Sequence, residues 1–193
     1  MALPDYLALS TGTAIILADS TDYSPAANYN LGTRTTQIDC TDLAAAAARQ
    51  SDKFDFGTTW DMECVLAACI EWETTPEVAA GMTVDYFIGY SHSATAAVAN
   101  PANLTGADAA YTGMTGGTLA NSIKQLTYIG SQIMDNVINT DMPQINTNIA
   151  TFVPRARYGI LVVRNNAASA AFHSDMVETA FRITPLRTAI QDS

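Results

Sequence analysis

The most regular pattern in the chain is an alternation of apolar and polar residues across residues 58–73. Every even position from Trp60 to Trp72 carries an apolar side chain, whereas the odd positions are acidic at both ends and apolar in the middle, at Val65 and Ala67 among others. Because successive side chains of a β-strand point to opposite faces, this spacing predicts a strand with one face in the core. The apolar centre of the other face is expected to be covered by another element or by another subunit.

A second alternating segment follows a turn at residues 74–81. Its apolar face consists of Met82, Val84, Tyr86, Ile88 and Tyr90. Two long alternating strands joined by a loop of about eight residues favour an antiparallel pair, which is a building unit of β-sandwiches.

The run at residues 158–163 is apolar at consecutive positions, which is typical of a central strand covered on both faces. A second run, at residues 177–183, follows an Asn-rich turn region and a polar gap, and it ends at Pro185. Two such segments close together near the end of the chain predict neighbouring antiparallel strands.

The first part of the chain is less regular. Residues 1–36 are expected to form an N-terminal arm or extended segment, and residues 37–193 are expected to form the sandwich domain. Five consecutive alanines at residues 44–48 fit either a short helix or a strand in a tightly packed region. These patterns leave that choice open.

Two further segments connect the predicted strands. Residues 91–117 consist largely of Ala, Asn, Gly, Ser and Thr, which predicts a long loop of the kind that often carries binding functions. Residues 119–137 regain apolar character with mixed spacing, and Gly130 favours a bulged strand over a helix.

Composition sets the size of the core and excludes one class of partner. With 193 residues and 48% hydrophobic content, the chain can bury one real core, and the strand patterns predict that this core is an all-β sandwich. The net charge of −10 repels phosphate backbones, which argues against nucleic acid as a partner.

The charge is unevenly distributed along the chain. Residues 1–148 carry sixteen acids and four bases, whereas residues 149–193 carry three acids and five arginines. This basic end fits docking onto an acidic protein surface, but ion pairs within the chain explain it equally well.

The sequence has no window of eighteen apolar residues, and its start lacks the basic residues and long apolar centre of a signal peptide. We therefore expect a soluble protein that is made in a cytoplasm and has no membrane partner. The cysteines, Cys40, Cys64 and Cys69, are odd in number and lack the paired spacing of a zinc site. This pattern indicates buried, reduced thiols.

Candidate catalytic groups are few. The two carboxylates of Asp61 and Glu63, or those of Glu71 and Glu73, would lie about 7 Å apart on one strand face, within the range used by glycosidases, but a solvated face is the simpler interpretation. His92 and His173 are isolated in the sequence, and the acidic residues at 19–22 are typical of a turn because they lack the Gly and distal Glu of a calcium loop. We therefore predict no enzyme, no catalytic residue, no metal site and no cofactor.

Several segments together resemble small virion proteins of tailed bacteriophages that have β-sandwich folds. They are Arg-Gln-Ser-Asp-Lys-Phe-Asp-Phe-Gly at 49–57, the Thr-Pro to Gly turn at 75–81 before Val-Asp-Tyr at 84–86, Asn-Pro-Ala-Asn-Leu-Thr-Gly-Ala-Asp at 100–108, Pro-Arg-Ala-Arg-Tyr-Gly at 154–159, Val-Val-Arg-Asn-Asn at 162–166 and the closing strand at Pro185. The resemblance covers about residues 45–190 and contains no catalytic signature.

The resemblance implies a jelly-roll-like sandwich that acts as a capsid decoration, or cement, protein. Such a protein binds the major capsid protein on the outside of the virion, assembles as a homotrimer and is made in the host cytoplasm. The alternative is a tail-associated or receptor-binding adhesin that recognises carbohydrate. The resemblance supplies no catalytic residues.

Five residues are candidates for partner contacts. Arg155, Arg157 and Arg164 belong to the basic end of the chain, and Val65 and Ala67 form the apolar centre of an otherwise acidic strand face. An apolar patch among acidic residues suits a subunit that buries surface against copies of itself.

Two rival functions predict different features. A carbohydrate-binding adhesin predicts exposed aromatic side chains in the loop at residues 91–117, where Tyr111 is the only aromatic residue. A hydrolase predicts that a carboxylate pair such as Glu71 and Glu73 is required for turnover.

Overall fold

The computed structural model describes residues 6–57, 62–136 and 142–191, and side chains within residues 12–57, 62–136 and 142–186. These residues form two β-sheets that pack face to face, and every strand pair is antiparallel except one short parallel pair at the edge of the first sheet. The predicted all-β antiparallel sandwich is therefore confirmed.

The strands of the described residues are numbered in chain order. They are β1 (Tyr6–Thr11), β2 (Ile15–Ala18), β3 (Thr36–Gln37), β4 (Ala48–Gln50), β5 (Phe54–Asp55), β6 (Cys64–Ile70), β7 (Thr83–Ser91), β8 (Ala109–Ala110), β9 (Thr127–Ile133), β10 (Gln144–Phe152), β11 (Tyr158–Asn165) and β12 (Ala180–Gln191). Helical segments are short: a 3₁₀ turn at Pro101–Asn103, helix α1 at Leu119–Ser122 and a second 3₁₀ turn at Ile123–Gln125.

The order of the strands is that of a jelly roll. The first sheet runs β10-β6-β12-β2-β3, with β1 also pairing to β12, and the second runs β8-β4-β11-β7-β9, with β5 also pairing to β11. The eight main strands are β2, β4, β6, β7, β9, β10, β11 and β12. Along the chain, each connection between consecutive members of this set crosses to the other sheet, except the one between β7 and β9. This alternation produces the two interlocked Greek keys of a jelly roll, as expected.

Two predicted strand pairings are wrong. The alternating strands β6 and β7 lie in different sheets and do not pair, and the same holds for β11 and β12. The connection between β6 and β7, residues 71–82, is long enough to cross the gap of about 10 Å between packed sheets. Strand β12 also continues past Pro185, to Gln191.

The core lies between the inner faces of the two sheets. Its largest fully buried side chains include Trp72, Tyr86, Phe172, Phe181, Leu66, Ile70, Ile88 and Leu161. Edge-to-face aromatic pairs join Trp72 to Phe172 at 4.9 Å and Tyr86 to Phe181 at 5.9 Å between ring centroids. Trp72 is 1% exposed, which confirms it as a core residue, whereas the predicted strand start at Trp60 lies outside the described residues.

A loop of the same chain covers part of the outer face of the first sheet. Leu31, with Tyr23 and Tyr29 beside it, packs on Cys69 of β6 and Ala18 of β2. Strand β2 is buried along its length between β12 and β3. This part of the segment expected to form an N-terminal arm therefore lies inside the sandwich.

The long segment between β7 and β9 covers the outer face of the second sheet. It carries a small apolar cluster of its own, in which Leu104, Tyr111, Ile123 and Leu126 pack on Phe87, Ile160 and Val162. Gly106 has φ +73°, and a Cβ at this position would lie 2.1 Å from the Ala96 carbonyl oxygen, so this close approach requires glycine. The predicted loop is thus a packed cover and not an open loop.

Two local predictions are settled by the backbone. The alanines at 44–48 form a turn that leads into β4, with Ala47 N donating to Ala44 O, and not a helix. In β9, Gly130 pairs with Tyr86 and Tyr128 with Phe87, which leaves one extra residue between them. This register shift confirms the predicted bulge. The strand is shorter than predicted, because residues 119–125 form helix α1 and a 3₁₀ turn.

The two ends of the described chain form a ribbon. Strand β1 pairs with β12 from Tyr6 opposite Gln191 to Thr11 opposite Leu186, whereas the pairing of β6 with β12 ends at Pro185. Beyond that point β12 pairs only with β1 among the described residues. A two-stranded ribbon has little stability of its own in water.

The turn after β2 is organised by one buried carboxylate. Asp19 accepts hydrogen bonds from Thr21 N at 2.8 Å, Asp22 N at 3.0 Å and Gln37 Nε2 at 2.7 Å. Burial alone raises the pKa of Asp19, but the hydrogen bonds from Gln37 and the backbone amides outweigh it and hold the pKa below its usual value. Turn chemistry thus accounts for Asp19, as predicted.

Replacing Asp19 by alanine is expected to lower the free energy of unfolding by about 2–3 kcal/mol at neutral pH, because several donors lose a charged acceptor. A carboxyl whose pKa is lowered on folding stabilises above its unfolded value, near 3.8, and loses this effect as the pH falls through the folded value. The gap between wild type and Asp19→Ala, measured by urea unfolding, should therefore shrink below about pH 4. Asp22→Ala in the same turn is the control, and an equal loss there would contradict the assignment.

Candidate functional site

The three predicted partner-binding arginines do not form one cluster. Arg155 is exposed, and Arg157 beside it forms a two-pronged ion pair with Asp55, with Nη2 2.8 Å from Oδ2 and Nε 3.0 Å from Oδ1. This guanidinium holds the pKa of Asp55 below its usual value. Arg164 lies near the other end of β11, about 20 Å away along the strand. The charge of Arg157 is therefore paired with Asp55 within the chain. Arg155 and Arg157 are both exposed to solvent.

Arg164 is half-buried on the outer face of the second sheet. It lies opposite Asp85 in the pairing of β11 with β7, but Asp85 accepts hydrogen bonds from Ser131 and Asn166. The Nε atom of Arg164 is buried and has no hydrogen-bond partner in the described part of the chain. Arg164 therefore lies beside the polar side chains of Asp85, Ser131 and Asn166, on a partly buried area of the sheet face.

The predicted apolar patch on β6 is mostly buried within the same chain. Ala67 is buried and Val65 is half-buried, and Arg182 lies opposite Ala67 on β12. Arg182 donates from Nε to Thr184 Oγ1 at 3.0 Å, which holds its side chain along the sheet face. The patch is therefore covered by an element, one of the two options that the pattern left open, and it leaves little surface for a partner.

A different surface concentrates the exposed apolar side chains. Of the large hydrophobic residues that are exposed in the described structure, five lie on or beside β9 and β10 and two lie elsewhere. The five are Tyr128, Ile133, Met142, Ile145 and Val153, and we call them the β9–β10 surface. Tyr128 is 55% exposed and Ile133 is 72% exposed. The strand registers place Tyr128 and Ile133 on the outer face of the second sheet and Ile145 on the outer face of the first, so this surface extends around the edge that the two sheets share. Clusters of exposed apolar residues mark interaction sites.

The segment that carries this surface contains few charged residues. Between Lys124 and Arg155 the sequence contains no Lys or Arg, and its acids are Asp135 and Asp141. Depletion of charge together with exposed Tyr, Met and Ile is the composition of an interface core. The protein as a whole carries a net charge of −10, so this segment differs in composition from the rest of the chain. The nearest charged side chains on the second sheet are Asp85 of β7, which accepts a hydrogen bond from Ser131, and Arg164 opposite it on β11.

Both strands of this surface are sheet edges. Strand β9 is the last strand of the second sheet and β10 is the last strand of the first. The two strands lie side by side, and Gln132 Nε2 donates a hydrogen bond to Gln144 O at 3.0 Å between them. Exposed edges in monomeric proteins usually carry Lys or Pro, which prevent pairing with other chains. Neither strand contains either residue, although each is interrupted by a bulge or register shift.

The carboxylates proposed as a solvated pair are not equivalent. Glu71 is buried, which corrects the expectation of a solvated face, whereas Glu73 is only half-buried and its Oε1 accepts a hydrogen bond from Ser174 N. His173, isolated in the sequence, lies with its Nδ1 3.9 Å from Glu71 Oε1 and 3.3 Å from Asp175 Oδ1. The fold thus brings together three ionisable residues that their spacing does not connect.

The environment of this group shifts its ionisation. Burial raises the pKa of Glu71 to about 6, opposed in part by the nearby His173. Burial alone lowers the pKa of His173, but the Asp175 carbonyl and the surrounding carboxylates outweigh it and raise the pKa. Glu71 and His173 therefore support each other's charged forms.

The three cysteines are free and buried, as predicted. Burial raises the pKa of Cys64 to about 12 and that of Cys69 to about 12, and it raises the pKa of Cys40 as well. Thiols with such high pKa values carry very little of the reactive thiolate at neutral pH.

One lysine anchors the loop that follows β7. Lys53 Nζ donates to Ser91 Oγ at 3.1 Å and to the carbonyl oxygens of Ser93, Thr95 and Val98 at 3.1, 2.7 and 3.0 Å. An ammonium group has three protons, so these four acceptors share them. The Ser91 hydroxyl next to His92 is thereby engaged in fixing the loop.

Lys53→Met is expected to lower the free energy of unfolding by about 2–3 kcal/mol, because it removes hydrogen bonds to a charged donor and leaves carbonyl oxygens without it. Amide hydrogen exchange should accelerate across residues 91–98. The sequence contains one other lysine, Lys124, which is exposed and makes a matched control as Lys124→Met. Equal stability of the two variants would refute the anchoring role.

A carbohydrate-binding adhesin predicts an exposed aromatic side chain in the loop at residues 91–117, but the aromatic residue there, Tyr111, is buried. Tyr111 is 2% exposed and its hydroxyl donates to Ala102 O at 3.0 Å, so its ring is unavailable for stacking on a sugar. An exposed aromatic residue is found instead at Tyr128, whose hydroxyl lies 2.7 Å from Ser131 Oγ. Tyr128 belongs to the β9–β10 surface.

Sequence reasoning missed the β9–β10 surface, although one signal for it was present. The absence of Lys and Arg over the whole of residues 125–154 is visible in the sequence. Among the helices in the described part of the chain, none has the length and apolar character needed to cross a membrane. Comparison of the chain with protein-family models, curated proteins and solved structures finds no match in any of the three.

Proposed function

We propose that this chain is a structural protein of a tailed-bacteriophage virion, a capsid decoration protein that binds the outer shell and stabilises it through added contacts between subunits. The observation that carries the proposal is the β9–β10 surface, a set of exposed apolar side chains on a segment of an acidic jelly roll that contains no Lys or Arg. The sequence resemblance to phage virion proteins supports the same function. Jelly rolls also occur among viral capsid proteins, which supports it by analogy of fold.

The β9–β10 surface suits contact between copies of this chain. Two subunits that each carry a charge of −10 repel each other, and the repulsion is smallest where the facing surfaces carry no charge. Closed cyclic association, with a homotrimer as the expected state, would bury the exposed apolar side chains and protect both sheet edges. The partner at this surface is therefore a second copy of the chain.

Contact with the major capsid protein is assigned to a different part of the molecule. Arg155 is exposed, and an acidic shell surface would attract its charge. The ribbon formed by β1 and the end of β12 extends past the pairing with β6 and provides a second contact. A protein that binds only the assembled shell stabilises that shell by mass action, which is how a cement protein works.

Two measurements on the full chain test the proposal. Light scattering over a range of concentrations should give the mass of a discrete oligomer, three times the chain mass of 20.5 kDa for a trimer. Addition of the protein to phage capsids stripped of their decoration protein should then raise the melting temperature of the shells. A monomer that does not bind any shell would refute the proposal.

A carbohydrate-binding adhesin of the phage tail is the second candidate. The observation in its favour is Tyr128, an exposed ring beside the polar group of Asp85, Ser131 and Asn166. Aromatic rings flanked by hydrogen-bonding side chains can stack on sugars. Binding to a glycan array that is lost in Tyr128→Ala would favour the adhesin, whereas loss of the oligomer in the same variant would favour the decoration protein.

A further inference from the structure

A buried carboxylate oxygen without a hydrogen-bond partner lies at one end of the first sheet. Glu71 follows directly after β6, its side chain is 3% exposed, and its Oε2 atom has no hydrogen-bond partner among the described residues. Burying a charged oxygen without a partner is unfavourable unless a cation or a donor compensates it. His173 supplies charge on the Oε1 side, and a cation bound at this point would provide Oε2 with the partner it lacks.

Two more side chains with ligand atoms converge on the same point. One ligand atom from each of Glu71, His173 and Asp175 lies within 4.8 Å of the other two. His173 Nδ1 is 3.3 Å from Asp175 Oδ1 and 3.9 Å from Glu71 Oε1. Ligand atoms about 2.1 Å from one tetrahedral zinc ion lie about 3.4 Å apart, so small side-chain shifts complete such a site.

We propose that Glu71, His173 and Asp175 form a binding site for a divalent transition-metal ion of the zinc class. The imidazole decides the class, because Ca²⁺ and Mg²⁺ prefer sites made only of oxygen ligands. The two carboxylates balance the two positive charges of the ion. Asp175 has a side chain that is 60% exposed, which provides an entry path and leaves room for water as a further ligand.

The backbone holds two of the three ligands in position without a metal. His173 N donates to Glu71 O at 3.1 Å, and the neighbouring residues Trp72 and Phe172 form a β-bridge. The His173 Nδ1 atom lies 3.0 Å from Asp175 O and 3.1 Å from Asp175 N, and a metal ion bound to Nδ1 would replace these contacts. Metal binding would thus join the segment before β12 to the end of β6.

The site is independent of the proposed virion function and is tested on the purified full chain. Equilibrium dialysis against ZnCl₂ at neutral pH should give one zinc ion per chain. Co²⁺ should give the visible absorption bands of a site with nitrogen and oxygen ligands, without the thiolate bands that cysteine would add.

The chain offers a matched control because it contains two histidines. His173→Gln should weaken zinc binding by at least about tenfold, whereas His92→Gln in the exposed loop after β7 should bind as wild type does. Asp175→Asn alters the most exposed ligand and should also weaken binding while leaving the circular dichroism spectrum unchanged. This variant keeps the test valid if His173→Gln fails to fold.

Three results would overturn the inference. The first is no zinc bound by wild type, which would leave Glu71 and His173 as a simple ion pair. The second is an equal loss of binding in His92→Gln and His173→Gln, which would indicate nonspecific binding to surface histidines. The third is binding of Ca²⁺ as tight as that of Zn²⁺, which would exclude the zinc class.

Discussion

Replacement of Ile133 by lysine is expected to convert the assembled protein into monomers, with subunit affinity lowered at least about 100-fold. Ile133 is the most exposed large hydrophobic residue in the described structure, and it lies on the edge strand β9 opposite Thr83. In the proposed oligomer its side chain is buried, so lysine would place an ammonium group in an apolar contact without a partner. Light scattering over a range of concentrations measures the change in mass.

Val98→Lys is the matched control for this experiment. Val98 is also exposed, at 49%, but it lies in the loop anchored by Lys53 and not on β9 or β10. The same change in charge and size should leave the oligomer intact at this position. An oligomer that survives Ile133→Lys, or that is lost equally in Val98→Lys, would show that the β9–β10 surface is not the contact between subunits.

Phe172→Ala is expected to lower the free energy of unfolding by about 3–5 kcal/mol, which is the largest effect of a single substitution that we expect on stability. Phe172 is fully buried and packs edge-to-face on Trp72 at a centroid distance of 4.9 Å. Its removal leaves a cavity beside Trp72, because a close-packed core collapses only in part, and it also removes the aromatic contact. Urea unfolding should show a lower midpoint with an unchanged slope.

An exposed apolar side chain provides the comparison for the free energy of unfolding. Met114 is 42% exposed, so Met114→Ala should change the free energy of unfolding by less than about 0.5 kcal/mol. A loss below about 1 kcal/mol in Phe172→Ala would contradict the position of Phe172 in the core.

The faces of the strands could be predicted from sequence because the information is local. Alternation at residues 62–72 places Leu66, Ile70 and Trp72 on one face, and these residues are in the core. The run at residues 158–163 predicted a central strand, and β11 lies between β7 and β4 in the second sheet. In both cases the side-chain pattern indicates which residues face the core.

The partners of the strands could not be predicted, because the period of the pattern does not contain that information. Strands β6 and β7 have complementary apolar faces, which suits packing across the core as well as pairing in one sheet. Only the path of the chain between the sheets separates these options, and in this fold it crosses at residues 71–82. The same ambiguity explains the wrong pairing of β11 with β12.

The candidate sites depend on contacts between distant parts of the chain. Glu71 and His173 meet because the segment before β12 lies beside the end of β6, where Trp72 and Phe172 form an isolated bridge, and nothing near either residue in the sequence indicates this. Ala67 is buried and Val65 is half-buried, and Arg182 lies opposite Ala67 on the neighbouring strand β12 of the same sheet. The exposure of Ile133 depends on β9 being an edge strand, which is a property of the whole sheet.

The position of β12 also determines when the protein can fold. This strand is the last of the described chain, yet it lies in the middle of the first sheet and joins β6 to β2, with Phe181 between Ala68 and Leu17. During synthesis β2 is made early, whereas β12, one of its two neighbours in the sheet, is made more than 150 residues later. Contacts so distant in sequence make folding slow and leave apolar strands exposed until they form. A nascent chain that stops before residue 180 therefore lacks the strand that unites its first sheet, and the sandwich closes only when synthesis of β12 is complete.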